Sequence, residues 1–385
     1  MKLCVFGLTL SSSWGNGHAT LWRGLVRALG CLGHEVTFFE RDVPYYAAHR
    51  DGREFPGARL LLYENWGEIA DRAKRQVAGS DGVIVTSYCV DANAAACLAM
   101  DSAPEVLRVY YDLDTPVTLA LVRAAESVPY LPPEGLGMFD LVLSYTGGAA
   151  LDALRETLGA RRVEPLYGHA DPLTHCPVRS SRPLADLSYL GTYAHDRQPA
   201  LQRLFIDPAR RAPARRFVIG GSGYPEDFPW APNISFVHHV APADHPAFFC
   251  SSRLTLNITR AQMAAMGFCP SGRLFEAAAC GVPLLSDYWE GVEQFFAPGE
   301  EILIARDTEE ARAALDLSDH ELKRIASAAH ERVLQEHTSM HRAVRLLNLL
   351  EDDYGHVGHH SGRGQRHTHS AARLLQGIAA GRGTR

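Results

Sequence analysis

The sequence predicts an α/β protein built from two doubly wound parallel-sheet domains of similar size. Short β-rich runs alternate with longer helical patterns through the first 170 residues, and a second alternating series begins at residue 187. Strands separated by helices imply right-handed crossovers and parallel sheets covered on both faces. The 385 residues also suffice for two cores of ordinary size. In order, the first series runs "KLCVFGL", the helix "LWRGLVRALGCLG", then "HEVTFFE" (34–40), "ARLLLY" (58–63), "DGVIVTS" (81–87), "EVLRVYY" (105–111) and "DLVLSY" (140–145). Proline, serine and charge interrupt the rhythm at 171–186, which is the expected linker. The second series is "LSYLGTY" (187–193), a helix containing "LQRLFI", "RRFVIGGSGYP" (215–225), "NISFVHHV" (233–240), "SRLTLNIT" (252–259), the helix "RLFEAAACG" (273–281), "VPLLSD" (282–287) and "EILIAR" (301–306). Domains of 1–170 and 187–316 follow, with helices over 317–354 that pack back on the first domain and a disordered His-, Gly- and Arg-rich tail over 355–385. The tail histidines, His356, His359, His360, His367 and His369, read as a solvated tract.

Composition narrows the function. A formal charge of −6 argues against a general nucleic-acid binder, so a phosphate-bearing partner is expected to be a small molecule. Eight scattered cysteines without a C-x-x-C pair read as buried thiols in a reducing compartment. The opening strand is too short for a signal sequence or a membrane span, and the expected location is the cytoplasm.

Such domains bind ligands at the carboxyl ends of their strands. There the first domain offers "SSSWGNGHAT", a loop longer than a corner requires, in which Gly15, Asn16 and Gly17 lead to His18 at the mouth of a helix. It does not match the glycine fingerprint of dinucleotide folds. His18 is a candidate general base, or else a loop-packing histidine. "VYYDLDTP" ends a strand in Asp112 and Asp114, either hydroxyl-holding carboxylates or loop caps, with Asp114 the preferred functional one. In the second domain, "FVIGGSGYP" runs into a loop with Gly221 and Ser222, and "LNITRAQM" ends in Asn257, Thr259 and Arg260. "CPSGRLFEAAACG" places Ser271 and Gly272 at a helix start, Arg273 in its first turn and Glu276 one turn on. A diphosphate suits the helix start and arginine, and a vicinal diol suits the carboxylate. The plainer reading is a surface ion pair three residues apart.

"RLFEAAACGVPLLSDYWEGVEQFF" resembles the nucleotide-sugar site of GT-B glycosyltransferases. "SSSWGNGHATLWRGLVRAL", "YYDLDTPVT" and "LSYLGTYAHDRQ" resemble the CgeB-like, spore-maturation-type bacterial branch, so that the likeness spans nearly everything but the tail. It implies two Rossmann-like domains facing a central cleft and a hexosyltransferase-type enzyme moving a sugar from a nucleotide diphosphate sugar, UDP being the commonest carrier, to an acceptor hydroxyl. The resemblance assigns Glu276 to the ribose, Arg273, Ser271, Gly272, Gly221 and Ser222 to the diphosphate, and His239 or Val240 to the base, with Asn257 and Arg260 on the same donor side. His18 and Asp114 become the catalytic candidates, and Gly15, Asn16, Gly17 and Asp112 the acceptor side. No obligatory metal or cofactor is implied: "DLD" at 112–114 matches the Asp-x-Asp metal motif of the other main glycosyltransferase fold only superficially. Many retaining GT-B enzymes carry a second glutamate eight positions before the ribose glutamate, where this sequence has Phe268, while inverting members often take a base from the first domain. Acceptor identity, a polysaccharide, a protein, a lipid-linked intermediate or a small metabolite, is not encoded in these motifs. The competing functions are a nucleotide-sugar epimerase of the same fold and a non-catalytic sugar-nucleotide-binding or coat-assembly protein.

Overall fold

The computed structural model describes residues 1–179 and 185–357; the expected tail from 358 on, and 180–184 of the expected linker, lie outside the described residues. The first sheet contains β1 (Lys2–Gly7), β2 (Glu35–Arg41), β3 (Ala58–Tyr63), β4 (Gly82–Thr86), β5 (Leu107–Asp112), β6 (Leu141–Ser144) and β7 (Val163–Pro165). Their order is β3-β2-β1-β4-β5-β6-β7, every pair parallel. The second sheet contains β8 (Leu187–Leu190), β9 (Phe217–Gly221), β10 (Ile234–His238), β11 (Thr255–Asn257), β12 (Leu284–Ser286) and β13 (Leu303–Ile304) in the order β10-β9-β8-β11-β12-β13, again parallel throughout. Both orders reverse direction beside the first strand of the sheet, at β1/β4 and at β8/β11. That switch point leaves a crevice outside the strand ends.

Sequence explains the layers. The helix His18–Cys31 buries Trp22, Leu25, Val26 and Leu29, spaced as one helical face, against Val5, Phe38, Ile84 and Val109 of the sheet. The helix Ser339–Val357 adds Ala343, Leu346, Leu347 and Leu350 to that same core. On the opposite face, Ile69, Ala73 and Val77 of the helix Trp66–Ala78 cover Phe6, Val83 and Val85. The second sheet is covered in the same manner by two further clusters.

The chain therefore crosses between the sheets twice, and the crossings run side by side. The Ala170 amide donates to the His337 carbonyl at 3.0 Å, and the Ser339 amide donates to the Ala170 carbonyl at 2.8 Å. Arg342 clamps the pair, its Nε donating to the carbonyls of Gly168 (3.0 Å) and Tyr167 (3.2 Å).

Three details differ from the sequence reading. β7 was not anticipated, because "VEP" is three residues long and ends in proline on a sheet edge. The helix after β8 is interrupted by a π segment over Gln202–Ile206, next to Pro208, which has no N–H to continue the ladder. All eight cysteines are free, but Cys31 and Cys97 are exposed rather than buried. Among the described residues no helix is long and apolar enough to cross a membrane.

Candidate functional site

The long loop after β1 is built around a buried carboxylate. Glu40 in β2 is fully buried, and it accepts hydrogen bonds from Thr9 Oγ1 (3.0 Å), the Leu10 amide (2.7 Å), the Ser11 amide (2.9 Å) and Ser11 Oγ (2.6 Å). Ser13 binds Asp51 through both its amide and its hydroxyl, and Arg23 pairs with Asp51 at 2.5 Å. Burial alone would raise the Asp51 pKa, but Arg23 and Ser13 hold it below its usual value. The serines therefore anchor the loop from beneath. Its tip, with Gly15 at φ +66°, faces the crevice.

Gly17 is the residue before the helix and His18 is its first residue. His18 Nε2 lies 3.6 Å from Asp114 Oδ2, and the imidazole meets Tyr88 edge-on at 5.6 Å between ring centroids. Asp114 precedes the helix Thr115–Arg123. Asp112, expected on the acceptor side, is instead fully buried behind Asp114, because the alternation of β5 turns it away from the crevice. Its Oδ1 accepts the Asp114 amide at 3.0 Å, while Oδ2 has no partner. Burial lifts the Asp112 pKa to about 6, against the lowering effect of that hydrogen bond.

Opposite stands the second sheet. Gly221 ends β9 at φ +150°, and a methyl group there would collide with the Gly191 carbonyl, so two strand ends approach as only glycine permits. Ser271 precedes the helix Gly272–Ala279. Arg273 in its first turn is held from behind: Nη1 donates to Asn257 Oδ1 at 2.9 Å, and the guanidinium carbon lies 5.1 Å from the Tyr189 ring centroid. Asn257 thus stands behind the wall and fixes the arginine. Arg273 makes no ion pair among the described residues, and burial, the dominant influence, lowers its pKa. Glu276, 9% exposed, is buried and Arg273 is half-buried, so the two do not form the exposed surface pair of the plainer reading. Burial pushes Glu276 up, but His175, His245 and Arg273 together hold it at about 2.

These groups meet in one cavity of about 510 Å³ between the sheets. Gly15, Asn16, Gly17, His18 and Asp114 line one side; Gly221, Ser222, His239, Val240, Arg260, Ser271, Gly272, Arg273 and Glu276 line the other. Of the expected site residues, Asp112 and Asn257 do not reach it. Arg197, Tyr88, His169 and His245 line it without having been anticipated. Arg260 is paired with Asp196 at 3.2 Å, whereas Arg197 donates to the neutral carbonyl of Thr192 at 3.1 Å. Arg197 and Arg273 therefore stand on this wall with no ion pair among the described residues. A fixed anion would balance them.

Residues 197–348 match the family model described as "Glycosyl transferase-like". Sucrose-phosphate synthase from Thermosynechococcus elongatus superposes with a TM-score of 0.68 at 13% identity, over 92% of this chain and 100% of that one. Anabaena HepE in complex with UDP and glucose superposes with a TM-score of 0.65 at 12% identity, over 91% and 100%. An alpha-glucosyltransferase in complex with UDP and a 13-mer DNA gives 0.68 at 14%, over 91% and 99%. The chain has the GT-B fold. No curated protein matches the sequence.

In GT-B terms, two residues join the halves across the cleft. Phe268 does not line the cavity; its ring is wedged where methyl groups on Gly148 of the first half or Gly291 of the second would collide with it. The Gly147 amide donates to the Phe268 carbonyl at 2.9 Å. Trp14, at the tip of the GT-B cleft's long first loop, stacks on His49 of its own half at 3.9 Å and meets His239 of the other half at 4.3 Å with the rings tilted by 43°. His239 adopts φ +49°, uncommon for a residue with a side chain, and its amide donates to the Gly221 carbonyl at 2.8 Å.

Proposed function

We propose that the protein is a glycosyltransferase that moves a sugar from a nucleoside diphosphate sugar, UDP in the first instance, to an acceptor hydroxyl. The observation that carries this reading is Arg273: a half-buried guanidinium whose Nε is sealed from solvent with no hydrogen-bond partner and which has no ion pair among the described residues, at the start of a helix, one turn from a carboxylate held ionised. Burying such a cation unpaired is costly, and a bound anion offsets that cost. Helix-start amides and Arg273, with Arg197 nearby, would take the diphosphate, and Glu276 the ribose diol. The UDP complexes of the structural neighbours support the choice of nucleotide.

In the reaction, the bond from the anomeric carbon to the leaving phosphate breaks through an oxocarbenium-like transition state as the acceptor oxygen bonds to that carbon. Negative charge growing on the phosphate is met by Arg273 and the helix-start amides, a stabilisation greater in the transition state than in the ground state. The acceptor proton passes to His18, with Asp114 stabilising the imidazolium. Tyr88 and the loop tip at Gly15 to Gly17 form the acceptor side.

The test is a thermal-shift and calorimetric screen of UDP-, GDP- and dTDP-sugars against the protein and its Glu276→Ala variant. Saturable stabilisation by one nucleotide family, lost in the variant, is the expected result. No stabilisation by any of them would reject the donor site.

A further inference from the structure

Beside Glu276 lie two histidines, His175 and His245, to which the sugar-transfer reading gives no role. Glu276 Oε2 faces His245 Nδ1 at 3.4 Å and His175 Nε2 at 4.0 Å, and one ligand atom from each residue lies within 4.8 Å of the other two. His175 is 1% exposed, and neither of its ring nitrogens has a hydrogen-bond partner. His245 Nε2 lies 3.2 Å from the Val240 carbonyl. A carbonyl only accepts, so this nitrogen carries the hydrogen, and Nδ1 of the neutral ring turns its lone pair on the carboxylate. Two electron-rich atoms at that separation repel unless positive charge lies between them.

We propose that His175, His245 and Glu276 bind a divalent transition-metal ion, with zinc the best match, at the back of the cleft. Two imidazoles and a carboxylate are a borderline nitrogen and oxygen set, without the thiolates that would favour softer ions or the oxygen cage that magnesium and calcium prefer. The Val240 carbonyl supplies the outer contact that ordinarily fixes a ligating histidine's tautomer. Tetrahedral zinc with bonds of about 2.0 Å separates its ligand atoms by about 3.3 Å, so the His245 to Glu276 distance already suits it and His175 has only to draw in. His245 and Glu276 also line the cavity, which places the fourth coordination position on the cleft. One glutamate oxygen remains: Oε1 points toward Gly272 at the helix start and stays available to a substrate.

The experiment uses the full chain with His356, His359, His360, His367 and His369 replaced by alanine, so that the tail cannot compete for metal. The protein is stripped with chelator and titrated with Zn²⁺ by calorimetry and with Co²⁺ by visible absorption. One equivalent of each is expected, with the strong visible bands of four-coordinate cobalt. His175→Ala and His245→Gln are each expected to weaken binding by at least roughly a hundredfold, while circular dichroism of the stripped variants shows them folded. Absence of stoichiometric uptake, as expected if a proton on His245 fills the gap, would overturn the proposal, as would uptake unchanged in both variants. Because the titration contains no nucleotide, it stands or falls separately from the donor reading.

Discussion

Asp112 is the residue whose environment departs furthest from what its neighbours in the sequence imply. "DLD" looks like two equivalent carboxylates, yet one faces the cleft and the other is sealed behind it with an unpartnered oxygen. Its folded pKa of about 6 exceeds the ordinary 3.8, so the native state binds the proton more tightly than the unfolded chain does. Stability from this group is complete at low pH and is lost as pH rises through about 6, by roughly 3 kcal/mol in all. Glu276 acts oppositely: its pKa of about 2 lies below the ordinary 4.5, and its contribution is lost as pH falls from 4.5 toward 2. Asp112→Asn should therefore raise stability at pH 7 and flatten the decline between about pH 4 and 6, measured by urea unfolding across that range. A decline as steep as in the parent protein would show that Asp112 is not its source. For the acid–base pair, His18→Asn and Asp114→Asn should each lower kcat by roughly 10²- to 10⁴-fold with nucleotide affinity unchanged. Loss of nucleotide binding in step with kcat would instead place His18 on the donor. His18, Arg273 and Glu276 could be singled out because each stands beside glycines or a helix start. His175, His245 and Arg197 have no glycine frame beside them in the sequence, and only the fold brings their distant segments together.

At the scale of elements, the parallel strands were legible because strands buried on both faces read as unbroken apolar runs. The role of Glu40 was not. "HEVTFFE" announces a strand, and its terminal glutamate reads as the polar end of a run until the loop from β1 is seen to fold over it. Glu40→Gln would put an amide group against four inward-pointing donors and leave at least one unpaired, costing about 1–3 kcal/mol. Residues 8–17 should then exchange their amide hydrogens faster, and the acceptor KM should rise while nucleotide stabilisation persists. Unchanged exchange in that loop would show that Glu40 does not hold it. The interrupted helix after β8 has a comparable lesson, because a hydrophobic pattern carries the existence of a helix but not the register of its hydrogen bonds.

Across the whole molecule, the halves meet through the paired crossings, the Phe268 wedge and the tilted ring contact of Trp14 with His239. Trp14→Ala removes the contact at the mouth of the cleft and leaves the crossings intact. The expected outcome is a larger radius of gyration in small-angle X-ray scattering without nucleotide, partly reversed when nucleotide binds. Identical scattering would show that the Trp14 contact does not hold the cleft closed. The helix Ser339–Val357, finally, has a consequence in time. It fills the core of the first sheet, although it is made after the whole second domain. At a synthesis rate of roughly 5–20 residues per second, the first domain waits on the order of ten to forty seconds, with Leu3, Val5 and Phe38 only partly covered, while the entire second domain emerges. A ribosome-bound nascent chain of this protein is thus a natural client for a holding chaperone, and the half translated first is the half completed last.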